Sequence, residues 1–273
     1  MASSPAYIAK TGDVARSRLA IQHRVFAPGT ETLLAMAGFR PDMRVLIVGC
    51  GCGDETVMIA EKLGPDGRIT ALDKSPEQIE QTRQVVEVAG FSAKVSYLVK
   101  PLEELSDSDG DYDLILCRLV MPHLASPVTA IDILKNRLSP RGVLASQEPI
   151  VSSCYADPAS PALTEYLSLM LAFAESYGLD FDMAKTIPEL FRAAGLKTQE
   201  QSWQPVVLGE DKCMVTMSAS ECMPAILKQG LIEPKAADDL IAAIDAEVVQ
   251  PKEARLFQCV NVLTVGEKCP EPS

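Results

Sequence analysis

The chain has 273 residues, 47% of them hydrophobic and 23% charged, enough to bury one substantial core as a single large domain or as a domain with a smaller cap. Its 25 Lys and Arg stand against 37 Asp and Glu, a formal charge of −12, which works against a phosphate backbone and sets nucleic acid aside as a partner. No apolar run reaches membrane-spanning length, and Lys10, Asp13, Arg16 and Arg18 interrupt the first twenty residues where a signal segment would be apolar, so no membrane span and a cytoplasmic location are expected.

In chain order, the first forty residues read as helices preceding a sheet, with "APGT" at 27 to 30 as the break between them. From residue 44 onward, apolar strand-like runs alternate with helical patterns, which predicts a parallel sheet covered on both faces. "RVLIVG" is a first strand and "ETVMIAEKLG" a helix; "GRITALD" is a second strand, followed by "PEQIEQTRQVVEVAG", a helix with Pro76 suited to its first turn. "AKVSYLV", "YDLILCRLV" and "GVLASQE" continue the sheet, the last two separated by the helix "VTAIDILKNRLSP". Beyond it lie a long helical stretch, "SPALTEYLSLMLAFAESYG", a short one, "IPELFRAAG", and a strand in "LKTQEQSWQPVVL". A mainly helical segment from about 218 to 249 follows, expected as a further cap or as the surface of a homodimer, and "ARLFQCVNVLTVG" closes the chain as a final strand. The expected fold is α/β, a Rossmann-like, doubly wound, seven-stranded, mostly parallel sheet with N-terminal helices and helical lid insertions. Its parts are residues 1–40 as N-terminal lid, 41–150 as core and 151–273 as the remainder of the same domain with substrate-cap insertions.

The stretch most specific to function is "VLIVGCGCGDET", residues 45 to 56, a glycine loop between a strand and a helix. Such a loop lets backbone pass close to a ligand, and the helix start offers free N–H groups. Gly49 and Gly51 fit a dinucleotide fingerprint, but the third glycine, Gly53, comes one residue early and Asp54 takes its place. Asp54 and Glu55 already compensate the helix dipole and repel a pyrophosphate. A phosphate-free nucleoside with a cationic tail fits better. The second strand ends at Asp73, twenty residues after Gly53, where a carboxylate accepts hydrogen bonds from both ribose hydroxyls. Adenosine with a cationic tail describes S-adenosylmethionine.

The glycine loop, Asp73, "YDLILCR", "VMPHLASP" and "LSPRGVLASQEP", taken in order, resemble the class I S-adenosylmethionine-dependent methyltransferases, in particular the ubiquinone/menaquinone-biosynthesis-like group acting on small molecules. The likeness runs over roughly residues 16 to 205. It implies S-adenosylmethionine as cofactor and S-adenosylhomocysteine as product. It also implies that Gly49, Cys50, Gly51 and Gly53 line the methionine part and ribose, that Asp73 takes the ribose hydroxyls and that Lys74 flanks the adenine. By the same resemblance Leu102 offers backbone to the adenine edge, and Cys117 and Arg118 stand beside the methionine moiety. Two positions depart from the family's pattern: Ile47 and Pro101 stand where acidic residues usually do.

Methyl transfer from a sulfonium is an in-line displacement that needs no acid for its leaving group, so positioning in a dry pocket is the main task. His123, following the fourth strand, is the candidate base for an acceptor that must lose a proton. His23 is expected as a surface or capping residue, with a substrate contact from the N-terminal lid as the other reading, and Glu148 is expected as a buried carboxylate held by nearby backbone or as a residue that orients the substrate. The eight cysteines show no C-x-x-C pair, and with only two histidines no metal site is expected; Cys50 and Cys52 read as small buried side chains within the loop. The stripe with Tyr166, Phe173 and Tyr177 is either helix core or substrate wall. The resulting expectation is a methyltransferase for a small apolar or aromatic metabolite. Ile47 and Pro101 motivate the alternatives: a methyltransferase fold turned to a cyclase or isomerase reaction, or a binding protein with a degenerate site.

Overall fold

A computed structural model of the protein describes residues 15–269. The lid expectation for residues 1–14 lies outside that range. Helix α1, Arg16–Met36, leads into β1, Arg44–Val48, whose last four residues are buried because helices cover both faces of the sheet. The alternation continues with α2, Asp54–Lys62; β2, Arg68–Asp73; α3, Pro76–Val88; β3, Val95–Val99; β4, Tyr112–Arg118; α4, Pro127–Asn136; and β5, Leu138–Ile150. Serine side chains start several of these helices. Ser75 accepts from Gln78 N at 3.3 Å ahead of α3, and Ser126 accepts from Thr129 N at 3.4 Å ahead of α4, each with proline next in the chain.

The second half adds β6, Tyr155–Asp157; α5, Pro161–Ser176; α6, Ile187–Ala193; β7, Leu196–Trp203; β8, Val206–Val207; α7, Met214–Lys228; and α8, Pro234–Ile244, which runs into a π-turn over Asp245–Val249. Strands β9, Arg255–Phe257, and β10, Val260–Lys268, end the fold. The seven-stranded sheet has the order β3-β2-β1-β4-β5-β10-β7. Only β10 runs antiparallel to its neighbours, β5 and β7. The doubly wound, mostly parallel sheet expected from the alternation is therefore present. The chain turns back between β1 and β4, so a crevice opens at their carboxyl ends.

One buried cluster lies on each face of the sheet. A third, with Phe26, Tyr166, Met214, Leu240 and Leu256, joins α1, α5, α7 and α8 into a helical cap. Two expectations are corrected. The break at residues 27 to 30 does not occur: α1 runs unbroken through Pro28. Proline forfeits one helical hydrogen bond, but Thr30, Leu33 and Leu34 are buried and Gly29 lies against Trp203, so packing outweighs the lost bond. The final strand is two strands in two sheets. Its first part, β9, sits between β6 and β8 in a small antiparallel sheet, and the chain turns at Gln258, whose N–H donates to Pro205 O at 3.0 Å.

Candidate active site

The crevice is built around the glycine loop. Gly49, Gly51 and Gly53 have φ of +68°, +56° and +91°, left-handed values that glycine adopts without strain. The amides of Gly49 and Cys50 donate to Leu72 O at 2.8 and 3.1 Å, and Thr82 Oγ1 donates to Gly51 O at 2.9 Å, which fixes the loop against β2 and α3. A Cβ on Gly49 would lie 2.8 Å from Val120 Cγ2, whereas one on Gly51 would meet no protein atom within 4 Å. Asp73, at the end of β2, accepts from Gly51 N at 3.4 Å through one oxygen and from Ser75 N at 2.9 Å through the other. Burial raises its pKa, against the pull of those two amides.

These groups bound a cavity of ≈ 340 Å³. Gly49, Cys50, Gly51, Gly53, Asp73, Lys74, Leu102, Arg118 and His123 all line it. Cys117 does not line it. It is fully buried in β4, paired with Val48 on one side and Ser146 on the other, and belongs to the apolar cluster that also holds Ile115 and Met121. Cys50 and Cys52 are buried thiols, the former pushed up to about 12 by burial. Of the two departures from the family pattern, Ile47 is fully buried in β1, while Pro101 lines the cavity beside Glu103.

Three further contributors line or support the cavity; Gln22 and Glu55 carry no site role in the sequence, and His23 carries one only in its lid reading. Gln22 and His23 reach the cavity from α1, and His23 Nδ1 is 3.4 Å from both terminal nitrogens of Arg118. Burial first, then the Arg118 charge, lowers the His23 pKa to about 4, so the ring is neutral at ordinary pH. Glu55 is the third: it is buried, with Oε1 3.2 Å from Arg118 Nε, and burial raises its pKa while Arg118 opposes the rise. A surface reading of His23 followed from its polar neighbours in "IQHR". Only the fold reveals that this face of α1 covers the crevice.

Beyond β4, Leu119 adopts φ +58°, an uncommon value for a branched residue, and leads into the turn Met121–His123. Glu148, fully buried on β5, accepts from Val120 N at 3.1 Å, Met121 N at 3.3 Å and Ser146 Oγ at 3.3 Å. It holds the turn rather than facing the cavity. Burial raises its pKa to about 8 and lowers that of His123 to about 4. A second cavity, of ≈ 180 Å³, opens beneath the cap; Gln22, Leu119 and His123 line both cavities and so mark their junction. Tyr166, Leu167 and Met170 of α5 face this cavity, while Phe173 is core and Tyr177 is partly exposed at the end of the helix, so the aromatic stripe divides between wall and core.

Residues 39–204 match the family model described as a methyltransferase domain. The chain belongs to this family, of the class I S-adenosylmethionine-dependent type. As a methyltransferase-domain chain it is 26% identical over 219 residues to an uncharacterized 37.1 kDa protein in a transposon of Streptomyces fradiae, covering 77% of this chain and 62% of that protein. It is also 26% identical over 147 residues to the ubiquinone/menaquinone biosynthesis C-methyltransferase UbiE of Shewanella sediminis, covering 52% of this chain and 59% of the enzyme. The match thus spans less than two thirds of the length of these curated relatives. Among solved structures, the YcgJ protein of Bacillus subtilis superposes with a TM-score of 0.58 at 18% identity, over 88% of this chain and 97% of that one. The [4+2]-cyclase SpnF superposes with a TM-score of 0.54 at 17% identity, over 88% and 81%. Both likenesses concern the methyltransferase fold. Among the described residues no helix is long and apolar enough to cross a membrane.

Proposed function

We propose that this chain transfers a methyl group from S-adenosylmethionine, held in the larger cavity, to a small, apolar or aromatic molecule held under the cap. The observation that carries the reading is the junction: a glycine-floored cavity that holds Asp73, Lys74 and Arg118 meets a second cavity beneath the cap at Gln22, Leu119 and His123. The donor set fits the cofactor. Gly51 presents open space where any side chain would intrude, Asp73 is a half-buried carboxylate lining the same cavity, and the first turn of α2 carries two acidic residues, Asp54 and Glu55, which oppose a phosphate.

In this reading Asp73 accepts from the ribose hydroxyls, Leu102 presents backbone to the adenine edge, and Glu103 is the acidic neighbour that answers the adenine amino group in place of Pro101. Arg118, already partnered by Glu55, closes the methionine end. When bound, S-adenosylmethionine supplies an electrophilic methyl on a sulfonium, and the protein's task is to exclude water and align the acceptor. The α1 and cap helices exclude water. His123, neutral at ordinary pH, is suited to accept a hydrogen bond from the acceptor and so fix its orientation; a pKa near 4 makes it a weak base. S-adenosylhomocysteine formed in step with converted acceptor supports methyl transfer. Conversion without it supports a cyclase or isomerase, and failure of wild-type protein to bind S-adenosylmethionine in calorimetric titration overturns both.

A further inference from the structure

One side-chain amide in the wall of the cavity beneath the cap has its donor end unmatched. Gln258 lines that cavity and is 9% exposed. It stands where the chain passes from β9 to β10, and its other polar atoms are all taken up: its backbone N–H donates to Pro205 O at 3.0 Å, its carbonyl oxygen accepts from Gln204 Nε2 at 2.9 Å, and its side-chain Oε1 accepts from Cys259 N at 3.1 Å. The last of these bonds sets the orientation of the amide. A backbone N–H can only donate, so the side-chain oxygen faces Cys259 and Nε2 keeps two N–H donors with no partner among the described residues. The turn at this point uses the oxygen alone. A donor held out of water without an acceptor is costly, and the cavity is where an acceptor can reach it. Arg18, in the same wall, is engaged by Glu221 and Gln22, and the hydroxyls of Tyr166 and Ser218 lie 3.1 Å apart, where each can turn to donate or to accept. Such hydroxyls do not choose between kinds of guest, whereas the fixed NH2 of Gln258 does.

We propose that Gln258 sets acceptor specificity: the molecule taken beneath the cap carries a carbonyl oxygen on an otherwise apolar body, and that oxygen accepts a hydrogen bond from Gln258 Nε2. Calling this guest the acceptor rests on the methyl-transfer reading. Phe26, Leu167, Met170, Phe181, Met214 and Val215 surround the apolar body. The amide is neutral, so the oxygen needs no charge. Gln258 lines the cap cavity and not the cofactor cavity, so it reads the guest away from the atom that receives the methyl group and is not a catalytic residue. A hydrocarbon of the same shape leaves the donor unmatched and binds less well.

The test uses 2-acetylnaphthalene and 2-isopropenylnaphthalene, which have nearly the same shape and differ by a C=O in place of a C=CH2. Titrated into the full chain saturated with S-adenosylhomocysteine, the ketone is expected to bind roughly ten- to a hundredfold more tightly. Gln258→Met keeps the length of the side chain and removes the amide. It also gives up the bond to Cys259 N, so some thermal stability is lost, but the readout is the ratio of the two affinities, which a purely structural role does not move. That ratio is expected to fall to about one in the variant. A second measurement needs no variant: in isotope-labelled wild type, the side-chain amide protons of Gln258 are expected to shift downfield with the ketone and not with the alkene. It decides the matter if Gln258→Met fails to fold. Equal affinity of wild type for the two probes, binding of neither, a preference that survives in Gln258→Met, or amide protons that the ketone leaves unmoved each overturns the proposal. Absence of S-adenosylhomocysteine binding by wild type overturns the methyl-transfer reading instead, and the two probes are then compared in protein without nucleoside.

Discussion

The guanidinium of Arg118 stands between two partners on different elements: its Nε is 3.2 Å from Glu55 Oε1 on α2, and its terminal nitrogens are 3.4 Å from His23 Nδ1 on α1. Its Nη1 also donates to Thr30 Oγ1 at 3.3 Å, and Thr30 in turn donates to Gln147 Oε1 at 2.7 Å on β5. One residue at the end of β4 thus ties the covering helix to the floor of the crevice. Arg118→Met is expected to leave Glu55 as a buried, unpaired carboxylate, at a cost of about 3–5 kcal/mol in denaturant unfolding. Glu55→Gln in the same background is expected to restore most of it, and a double variant no more stable than Arg118→Met shows that the pair is not the origin of the loss.

Asp73→Asn keeps the shape and removes the charge. Its oxygen still accepts one amide, but the second position becomes a donor facing the Gly51 or Ser75 N–H. S-adenosylhomocysteine affinity is expected to fall by roughly ten- to a hundredfold, the equivalent of about 1.5–3 kcal/mol for a charged hydrogen bond. Calorimetric titration decides it; an unchanged affinity removes Asp73 from the ribose site.

Gly51→Ala separates backbone strain from space. At φ +56° an alanine costs of order 1 kcal/mol of stability, and nothing else in the protein is displaced. Nucleoside binding is expected to weaken by more than that, since the new methyl enters the cavity. If binding and stability fall by the same amount, Gly51 serves only the turn.

Much of this was legible in the sequence because the signals are local. The alternation of apolar runs and helix patterns depends on covered strand faces, and the glycine loop and Asp73 follow from the backbone demands of one strand-to-helix turn. The misses are all long-range. Pro28 and Gly29 read as a break, because propensity argues that way and only contact with Trp203 on β7 reverses it. The polar neighbours of His23 favour a surface position over a lid contact, and only the packing of α1 over the crevice brings it to the cavity; Glu55, legible as a dipole charge, gains its second role from a residue more than sixty positions away. Cys117 illustrates the converse: it stands near the end of β4, as its sequence position implies, but it is fully buried in the apolar cluster and does not line the cavity.

Gly29→Ala probes the contact that overrode the break. A Cβ there would lie 2.6 Å from Trp203 Cε3 and 2.9 Å from Gln147 Nε2, so α1 must shift outward. The expected destabilisation is about 1–3 kcal/mol despite alanine's better helix propensity. Weaker nucleoside binding should accompany it, because α1 carries Gln22 and His23. A more stable variant shows that the helix has room to spare on the sheet.

Glu148 gives stability a pH signature. Its folded pKa, near 8, lies above the ordinary 4.5 because burial disfavours the charged form. The folded state therefore holds a proton that the unfolded chain releases between those values. Its contribution is complete below pH 4.5 and is lost as pH rises toward 8, with a slope of at most about 1.4 kcal/mol per pH unit. His23 and His123 act in the opposite sense, since folded pKa values near 4 against 6.5 favour the fold above pH 6.5 and weaken it as pH falls through 4. Between pH 6.5 and 8 the folded histidines stay neutral and each unfolded one sheds its remaining half-proton, an effect that wild type and a Glu148 variant share, so the difference between the two isolates the Glu148 limb. Glu148→Gln keeps a carbonyl for the amides of Val120 and Met121 and cannot ionise, so denaturant midpoints measured across that window are expected to flatten relative to wild type. An unchanged slope would mean that Glu148 is already ionised at pH 6.5, held by those amides and by Ser146 more strongly than burial opposes it.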